Sequence, residues 1–384
     1  MDFSLTSEQD LMRETGRRMV DKDIQPVLDA HDPDKPLPKS AMLEIFACFA
    51  RQGLTAPRLS EKDGGAGLRM LDYGLMFEAL PTMVGMALVA HEGTVARLNA
   101  ESSPEQKERL LPDLIAGKRI ACTGTTEPEG GSDPRAVRTR LAHHGDEVAI
   151  TGGKLWISNG SIADVMIVTC VDGTDDKGRP RVTRVAVERA ISPYEANEIP
   201  VLGLRQGHLS EIVFDDCRVP AANMLGSPGD APQVLGGTWL VNRPLVGLLA
   251  VNMAQKALDQ ALDFADTRTQ FGRTIAEHQL IQERLARIAT TVTTCRLLCY
   301  YALDTIDKGG DATQLSAMAK HSALDLCQQA ISDAMHVHGA MGVSREAKLE
   351  QYFRDVRMLP IPDGTQEILT LIQGRAVTGK SALR

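Results

Sequence analysis

The chain has no Cys-x-x-Cys pair, no apolar run of membrane-spanning length and no block of lysine or arginine. Its seven cysteines are scattered at Cys48, Cys122, Cys170, Cys217, Cys295, Cys299 and Cys327. Such spacing indicates neither a zinc cluster nor a disulfide framework, and buried reduced thiols are expected. A net charge of −8 without a basic arm argues against nucleic-acid binding. The missing apolar run argues against membrane insertion. The start, MDFSLTSEQDLMRETGRR, lacks the basic-then-apolar layout of a secretion signal, so a cytoplasmic location is expected. No GxGxxG, GxxxxGK[ST] or GxSxG occurs, which removes Rossmann, P-loop and hydrolase readings. His91 and Glu92 do not belong to an HExxH, and His336 and His338 have no carboxylate or cysteine at ligand spacing. No metal is expected.

What is present is an ordinary globular composition, 43% hydrophobic and 24% charged over 384 residues, enough for two or three cored units. The texture changes twice. Residues 1–118 read as helical with turns at DPDKPLP (32–38) and EKDGGAG (61–67), residues 119–230 as short strands, and residues 231–384 as helical again. The segment EVAITGGKLWISNG (147–160) predicts two strands across a Gly-Gly turn. Ile281, Leu285, Ile288, Val292, Cys295, Cys299, Ala302 and Ile306 recur at steps of four and three, predicting a long core-packed bundle helix. ALDLCQQAISDAMHVHGAMG predicts a second bundle helix stopped by glycine. The class is α+β.

Several short stretches are candidates for chemistry, each with a plainer alternative. TGTTEPEGGSD (123–133) offers hydroxyls and backbone N–H groups to a flat polar ligand, or is a polar loop. KLWISNG (154–160) places Trp156 and Ser158 on one side of a strand, where the indole covers an aromatic ring or simply fills the core. Arg268 in RTQFG, followed by Gln279 in EHQ, suits a pyrophosphate because a guanidinium fork matches phosphate oxygens. Otherwise it is a solvated surface charge. Asp363 in PIPDGTQEI (360–368) is a catalytic base or only a turn residue.

The order of these stretches resembles the acyl-CoA dehydrogenase family over nearly the whole chain. The family's TEPxAGSD, KxWITNG and GLRxxxxSExxFxDxxVPxxNxLG correspond to TEPEGGSD, KLWISNG and GLRQGHLSEIVFDDCRVPAANMLG (203–226). Its RxQFGxxxxxxQ and late RDxR…EGTxEI correspond to RTQFGRTIAEHQ and RDVRMLPIPDGTQEILTLIQGR (354–375). The resemblance implies an N-terminal helical domain, a central β-barrel-like domain and a C-terminal four-helix bundle. It implies bound FAD, a homotetramer or homodimer, and oxidation of an acyl-CoA to its trans-2-enoyl form with electrons passed to an electron-transfer flavoprotein.

By position, the resemblance assigns Thr123, Gly124, Thr125, Thr126, Trp156 and Ser158 to the flavin ring, and Ser132 to the cofactor and CoA region. Arg268, Gln270, Phe271 and Gln279 fall to the FAD pyrophosphate and adenine side of a neighbouring subunit. His336, Gly339 and Ala340 occupy a Gln…Gly-Gly motif there, with His and Ala as departures. Thr365 and Glu367 align with late FAD contacts. Arg243 and Gly364 align with substrate contacts.

Asp363 stands where the family usually has glutamate. There a carboxylate takes the α-proton while flavin N5 takes the β-hydride, and the thioester carbonyl is polarised by the base's own backbone N–H and a flavin ribityl hydroxyl. Aspartate is one methylene shorter, and a displacement of about 1 Å costs on the order of 100-fold. Either the backbone moves closer, with Pro362 supplying the shift through its fixed φ, or the substrate sits differently, or the activity is low. The other family base position is Asn242, which cannot serve as a carboxylate. Nitroalkane oxidases share the fold and pair aspartate with a following arginine, where this chain has Thr370. An oxidase and a non-catalytic FAD- or acyl-CoA-binding homologue are the competing readings. His91, Glu92 and Arg97, in LVAHEGTVARL (88–98), either lend polarity to the acyl pocket or lie on a solvated face. PTMVGMA (81–87) lacks the arginine of glutaryl-CoA decarboxylating members, against a dicarboxylate substrate.

Overall fold

Thr6 and Ser103 each open a helix with a reciprocal capping box, to Gln9 and Gln106. Each box satisfies two N-terminal donors that the helix itself leaves unpaired. The structure, a computed structural model, describes residues 4–133, 136–227 and 231–382. The boundary expected at residue 230 lies outside the described residues. Helices α1 (Ser7–Met19), α2 (Gln25–Asp29), α3 (Lys39–Arg51), α4 (Met70–Phe77), α5 (Thr82–Glu101) and α6 (Pro104–Ile115) come first. Strands β1 (Ala121–Gly124), β2 (Arg140–His144), β3 (Glu147–Ser158), β4 (Val165–Thr174), β5 (Pro180–Glu188), β6 (Glu195–Glu198), β7 (Leu209–Pro220) and β8 (Met224–Leu225) follow. Helix α7 (Ala231–Thr267), a hairpin of β9 (Thr269–Gln270) and β10 (Arg273–Thr274), and helices α8 (Gln279–Asp307), α9 (Thr313–His338), α10 (Leu349–Met358) and α11 (Gln366–Thr378) complete the chain.

The strands form one sheet in the order β6-β7-β3-β2-β4-β5-β8, with β1 parallel to β4 off this path. β4 is a run of β-branched and apolar residues buried on both faces, as an interior strand requires. The Gly-Gly segment is not a turn. β7 pairs with β3 from Glu147 to Ser158, so Gly152 and Gly153 lie within one continuous strand. Gly152, at φ 142°, permits a close approach instead: a Cβ there would stand 2.8 Å from the Thr139 Cα. A second irregularity falls between Lys154 and Ile157, where Trp156 takes a left-handed φ of 63°. This bulge replaces the simple alternation on which Trp156 and Ser158 share a side.

The stripe of α8 packs as its spacing predicts, with Ile288, Val292, Cys295, Cys299 and Ala302 buried. α9 ends at Gly339, whose φ of 57° suits glycine. The first and last groups of helices share one core. Phe46, Phe49, Tyr73 and Phe77 belong to the same buried cluster as Leu245, Leu249, Cys299 and Leu324. A second cluster fills the sheet, and a third seats β1 and β4 on α5 and α6 through Val95, Leu98, Leu114, Val165 and Ile167.

Two of the resembling motifs meet here. Gly203 lets the Arg354 carbonyl approach, since a Cβ would lie 2.5 Å from it. The Leu204 N–H donates to Asp355 at 2.6 Å. All seven cysteines are free and buried. Among the described residues no helix is long and apolar enough to cross a membrane.

The Asp307 carboxylate, at the end of α8, accepts the N–H groups of Met70 and Leu71 at 2.6 and 2.9 Å and so caps α4. Removing a charge-bearing cap costs about 1–2 kcal/mol. Asp307→Ala is expected to lower the urea midpoint of unfolding accordingly, with no change in the residues around Asp363.

Candidate active site

The segment between α10 and α11 cannot enter the interior without donors for its carbonyls. Buried cations supply them. Lys320 Nζ, on α9 and fully buried, donates to the Pro362 carbonyl and, at 2.6 Å, to the Gly364 carbonyl. Arg243 Nε, on α7, donates to the Asp363 carbonyl at 3.1 Å. Asp363 is held at φ 54° and Gly364 at φ 98°. The left-handed region tolerates aspartate better than most residues. Pro362 and Asp363 form a turn between Ile361 and Gly364, and among the described residues the Asp363 N–H finds no acceptor.

Helix α7 is shaped for this. Pro244 has no N–H to give the Leu240 carbonyl, and the Ser316 hydroxyl of α9 donates to it at 2.7 Å. That contact sets α9 against the turn of α7 carrying Asn242 and Arg243. Asn242 Nδ2 donates to Asp363 Oδ2 at 3.2 Å. Burial lowers the pKa of Arg243 from its ordinary value, opposed by the Asp363 charge. Burial also pushes Lys320 down to about 8, again against the pull of Asp363.

His91, Glu92 and Arg97 do not lie on a solvated face; all three are buried. His91 Nδ1 accepts the Ala121 N–H at 3.0 Å while Nε2 faces the Leu114 carbonyl, and burial lowers its pKa to about 4. Arg97 donates to the Thr123 hydroxyl at 3.1 Å, and Thr94 lies 2.9 Å from the same oxygen. Glu92 pairs with Arg58 at 2.5 Å, and burial raises its pKa. Helix α5 therefore touches the sheet rim at one end and the surroundings of Asp363 near its middle.

The structure gathers the expected site residues in three places. Asp363, Gly364 and Arg243 are together. Thr123, Gly124, Thr125 and Thr126 line the sheet rim beside Trp156, because the Leu155 N–H donates to the Thr126 carbonyl at 2.9 Å. Trp156 is 50% exposed, so it is a surface aromatic and not a core residue. Ser158 is half-buried and Ser132 exposed. Glu127, of the same motif, is structural: it holds Lys154 at 2.6 Å and the Thr139 N–H at 2.9 Å. The third group, Arg268, Gln270, Phe271, Gln279, His336, Gly339 and Ala340, is exposed at the far end of the helices. It is not brought to Asp363 within this chain. Thr365 caps α11 through the Ile368 N–H, and the exposed Glu367 follows in the first turn.

Sequence reasoning missed Lys320 and Arg58. Lys320 carried a signal: it falls on the buried stripe Ser316, Ala319, Ala323 and Cys327 of α9. Arg58 carried none. In the native protein Lys320 loses its proton near about 8, whereas the unfolded chain holds it to 10.5. Across that window the unfolded state binds more protons, so stability rises with pH. Urea unfolding should show wild type gaining on Lys320→Met by up to about 3 kcal/mol between those pH values. A constant difference would contradict this.

Known proteins agree with these features. Models of the acyl-CoA dehydrogenase N-terminal, middle and C-terminal domains match residues 6–118, 122–217 and 233–378. A probable acyl-CoA dehydrogenase of Bacillus subtilis is 32% identical over 98% of this chain and 99% of its own length. A cyclohex-1-ene-1-carbonyl-CoA dehydrogenase of Geobacter metallireducens is 34% identical over 97% of this chain and 98% of its own. The solved butyryl-CoA dehydrogenase of Megasphaera elsdenii superposes with a TM-score of 0.90 at 27% identity, covering 98% of this chain and all of that one. A glutaryl-CoA dehydrogenase of Mycobacterium smegmatis, solved with FADH2, gives 0.89 at 26% identity over 99% and 97%. The chain belongs to the acyl-CoA dehydrogenase family, FAD-dependent oxidoreductases acting on acyl-CoA.

Proposed function

We propose that the protein oxidises an acyl-CoA thioester to its trans-2-enoyl form, with the Asp363 carboxylate removing the α-proton. The observation that carries this reading is the turn at Asp363. It presents a carboxylate oxygen and, on the same residue, a backbone N–H that has no acceptor among the described residues. A thioester carbonyl bound to such a donor is polarised as negative charge develops on its oxygen, which acidifies the α-carbon beside the base. Arg243 and Lys320 fix the carbonyls of the same turn, so the donor is preorganised. The left-handed backbone after Pro362 is this chain's answer to the shorter reach of aspartate.

The donor set suits FAD. The half-exposed Trp156 beside the hydroxyls of Thr125, Thr126 and Ser158 fits a flat heteroaromatic ring with polar edges. The exposed Arg268, Gln270 and Gln279 fit a pyrophosphate and adenine, with Phe271, His336, Gly339 and Ala340 alongside. Because this group stands apart from the sheet rim, it serves the cofactor of a neighbouring subunit in a homotetramer or homodimer. The exposure of Phe271, at 94%, and of Leu280, at 79%, supports burial there. Ser132 lies on the CoA side. Thr365 and Glu367 contact the cofactor late in the chain. Bound FAD supplies the acceptor for the β-hydride. An electron-transfer flavoprotein is the onward acceptor, in the cytoplasm.

The acyl group we favour is compact or cyclic. A buried Glu92–Arg58 pair next to Asn242 is a poor neighbour for a long alkyl chain. The Geobacter relative is named for a ring-bearing acyl-CoA.

The test is anaerobic titration of the purified protein with straight, branched and cyclic acyl-CoAs, following flavin absorbance. One class should bleach the flavin, and Asp363→Asn should slow reduction at least about 100-fold. Equal reduction by the variant would remove Asp363 as the base. Rapid peroxide formation without an added acceptor would favour the oxidase reading.

A further inference from the structure

Arg58 sits between Pro57 and Leu59 in a loop tied down by the Leu68 N–H to the Pro57 carbonyl at 2.9 Å and the Gly67 N–H to the Leu59 carbonyl at 2.8 Å. Its Nη2 donates at once to Glu92 Oε1, at 2.5 Å, and to Asn242 Oδ1, at 2.6 Å. The other end of that amide, Nδ2, donates to Asp363 Oδ2 at 3.2 Å. An asparagine side chain is nearly symmetric in shape, and its two ends are told apart only by what they bond. A guanidinium has no acceptor, so the end facing Arg58 must be the oxygen. The end facing Asp363 must then be the NH2.

We propose that Arg58 is a positioning residue for the base: anchored by the buried Glu92, it fixes the orientation of the Asn242 amide so that its NH2, and not its oxygen, meets the Asp363 carboxylate. The inference rests on Asp363 being the base. It gives the asparagine at this position a function of its own. An Asn242 free to rotate would turn its oxygen toward Asp363 part of the time, and two acceptors facing each other repel.

The charged and polar groups facing Asp363 come from each element packed around it. They are Glu92 of α5, Arg58 of the loop, Asn242 and Arg243 of α7, and Lys320 of α9. Glu92 is the acidic member of this set, and Arg58, Arg243 and Lys320 are the basic ones. Removing Arg58 alone would strand the Glu92 charge in the interior and confuse the result. Replacing both members of the pair cancels their charges and leaves chiefly the loss of the anchor.

The test uses the double variant Arg58→Met with Glu92→Gln, and separately Asn242→Leu, each in the full-length FAD-bound protein. Anaerobic stopped-flow reduction at saturating acyl-CoA reads the rate constant, and a spectral titration reads the Kd. Loss of the oriented donor should slow reduction about 10-fold in both variants while the Kd stays within about twofold of wild type. A reduction rate unchanged from wild type in the folded variants would overturn the proposal, even if Asp363→Asn is inactive and the base assignment stands. Full activity of Asp363→Asn would remove the base assignment, and the positioning role with it.

Discussion

A buried ammonium holding two carbonyls is the interaction on which the rest of the site depends. Lys320 takes the oxygens of Pro362 and Gly364, and Arg243 takes that of Asp363 between them. Three successive carbonyls turned inward would be ruinous in an apolar interior without such donors. With them, the turn is fixed and the Asp363 side chain and N–H are directed elsewhere. The left-handed conformation at Asp363 is then a consequence of the clamp and not an isolated strain.

The clamp in turn requires α7 and α9 to be in register. Pro244 and Ser316 supply this, the proline by vacating the Leu240 carbonyl and the serine by filling it. Gly247 keeps α7 close to both α8 and α9, since a Cβ there would lie 2.8 Å from Cys299 Sγ and 3.3 Å from the Ala323 Cβ. Helix α5 ties the assembly to the sheet. Its Thr94 and Arg97 reach Thr123, and its Glu92 reaches Arg58 and through it Asn242. The two ends expected to meet cofactor and substrate are thus braced by a single helix rather than by a flexible linker.

Much of this was legible in the sequence, and the remainder failed for identifiable reasons. The stripe of α8 and the glycine stop of α9 follow from local periodicity, which needs no partner to be read. The Gly-Gly segment misled because glycine marks a turn and a close approach alike, and only the pairing of β3 with β7 separates them. Trp156 was ambiguous until the bulge between Lys154 and Ile157 placed it at the surface. His91, Glu92 and Arg97 are polar enough for a solvated face, yet His91 and Glu92 find partners far along the chain, at Ala121 and Arg58, and Arg97 adds Thr123 to its pair with Glu101 four residues on. Lys320 could have been suspected from its place on an apolar stripe. Arg58 could not, because nothing around it in the sequence points to Asn242 or Asp363.

The central claim is that the Asp363 carboxylate reaches the α-carbon of a bound acyl-CoA. The most direct measurement is exchange of the α-proton with deuterated water, followed by mass spectrometry under anaerobic conditions with a thioester that reacts no further. Wild type should wash deuterium into the α-position, whereas Asp363→Asn should bind the same thioester without exchange. Exchange at the wild-type rate in Asp363→Asn would contradict the account and place the base elsewhere.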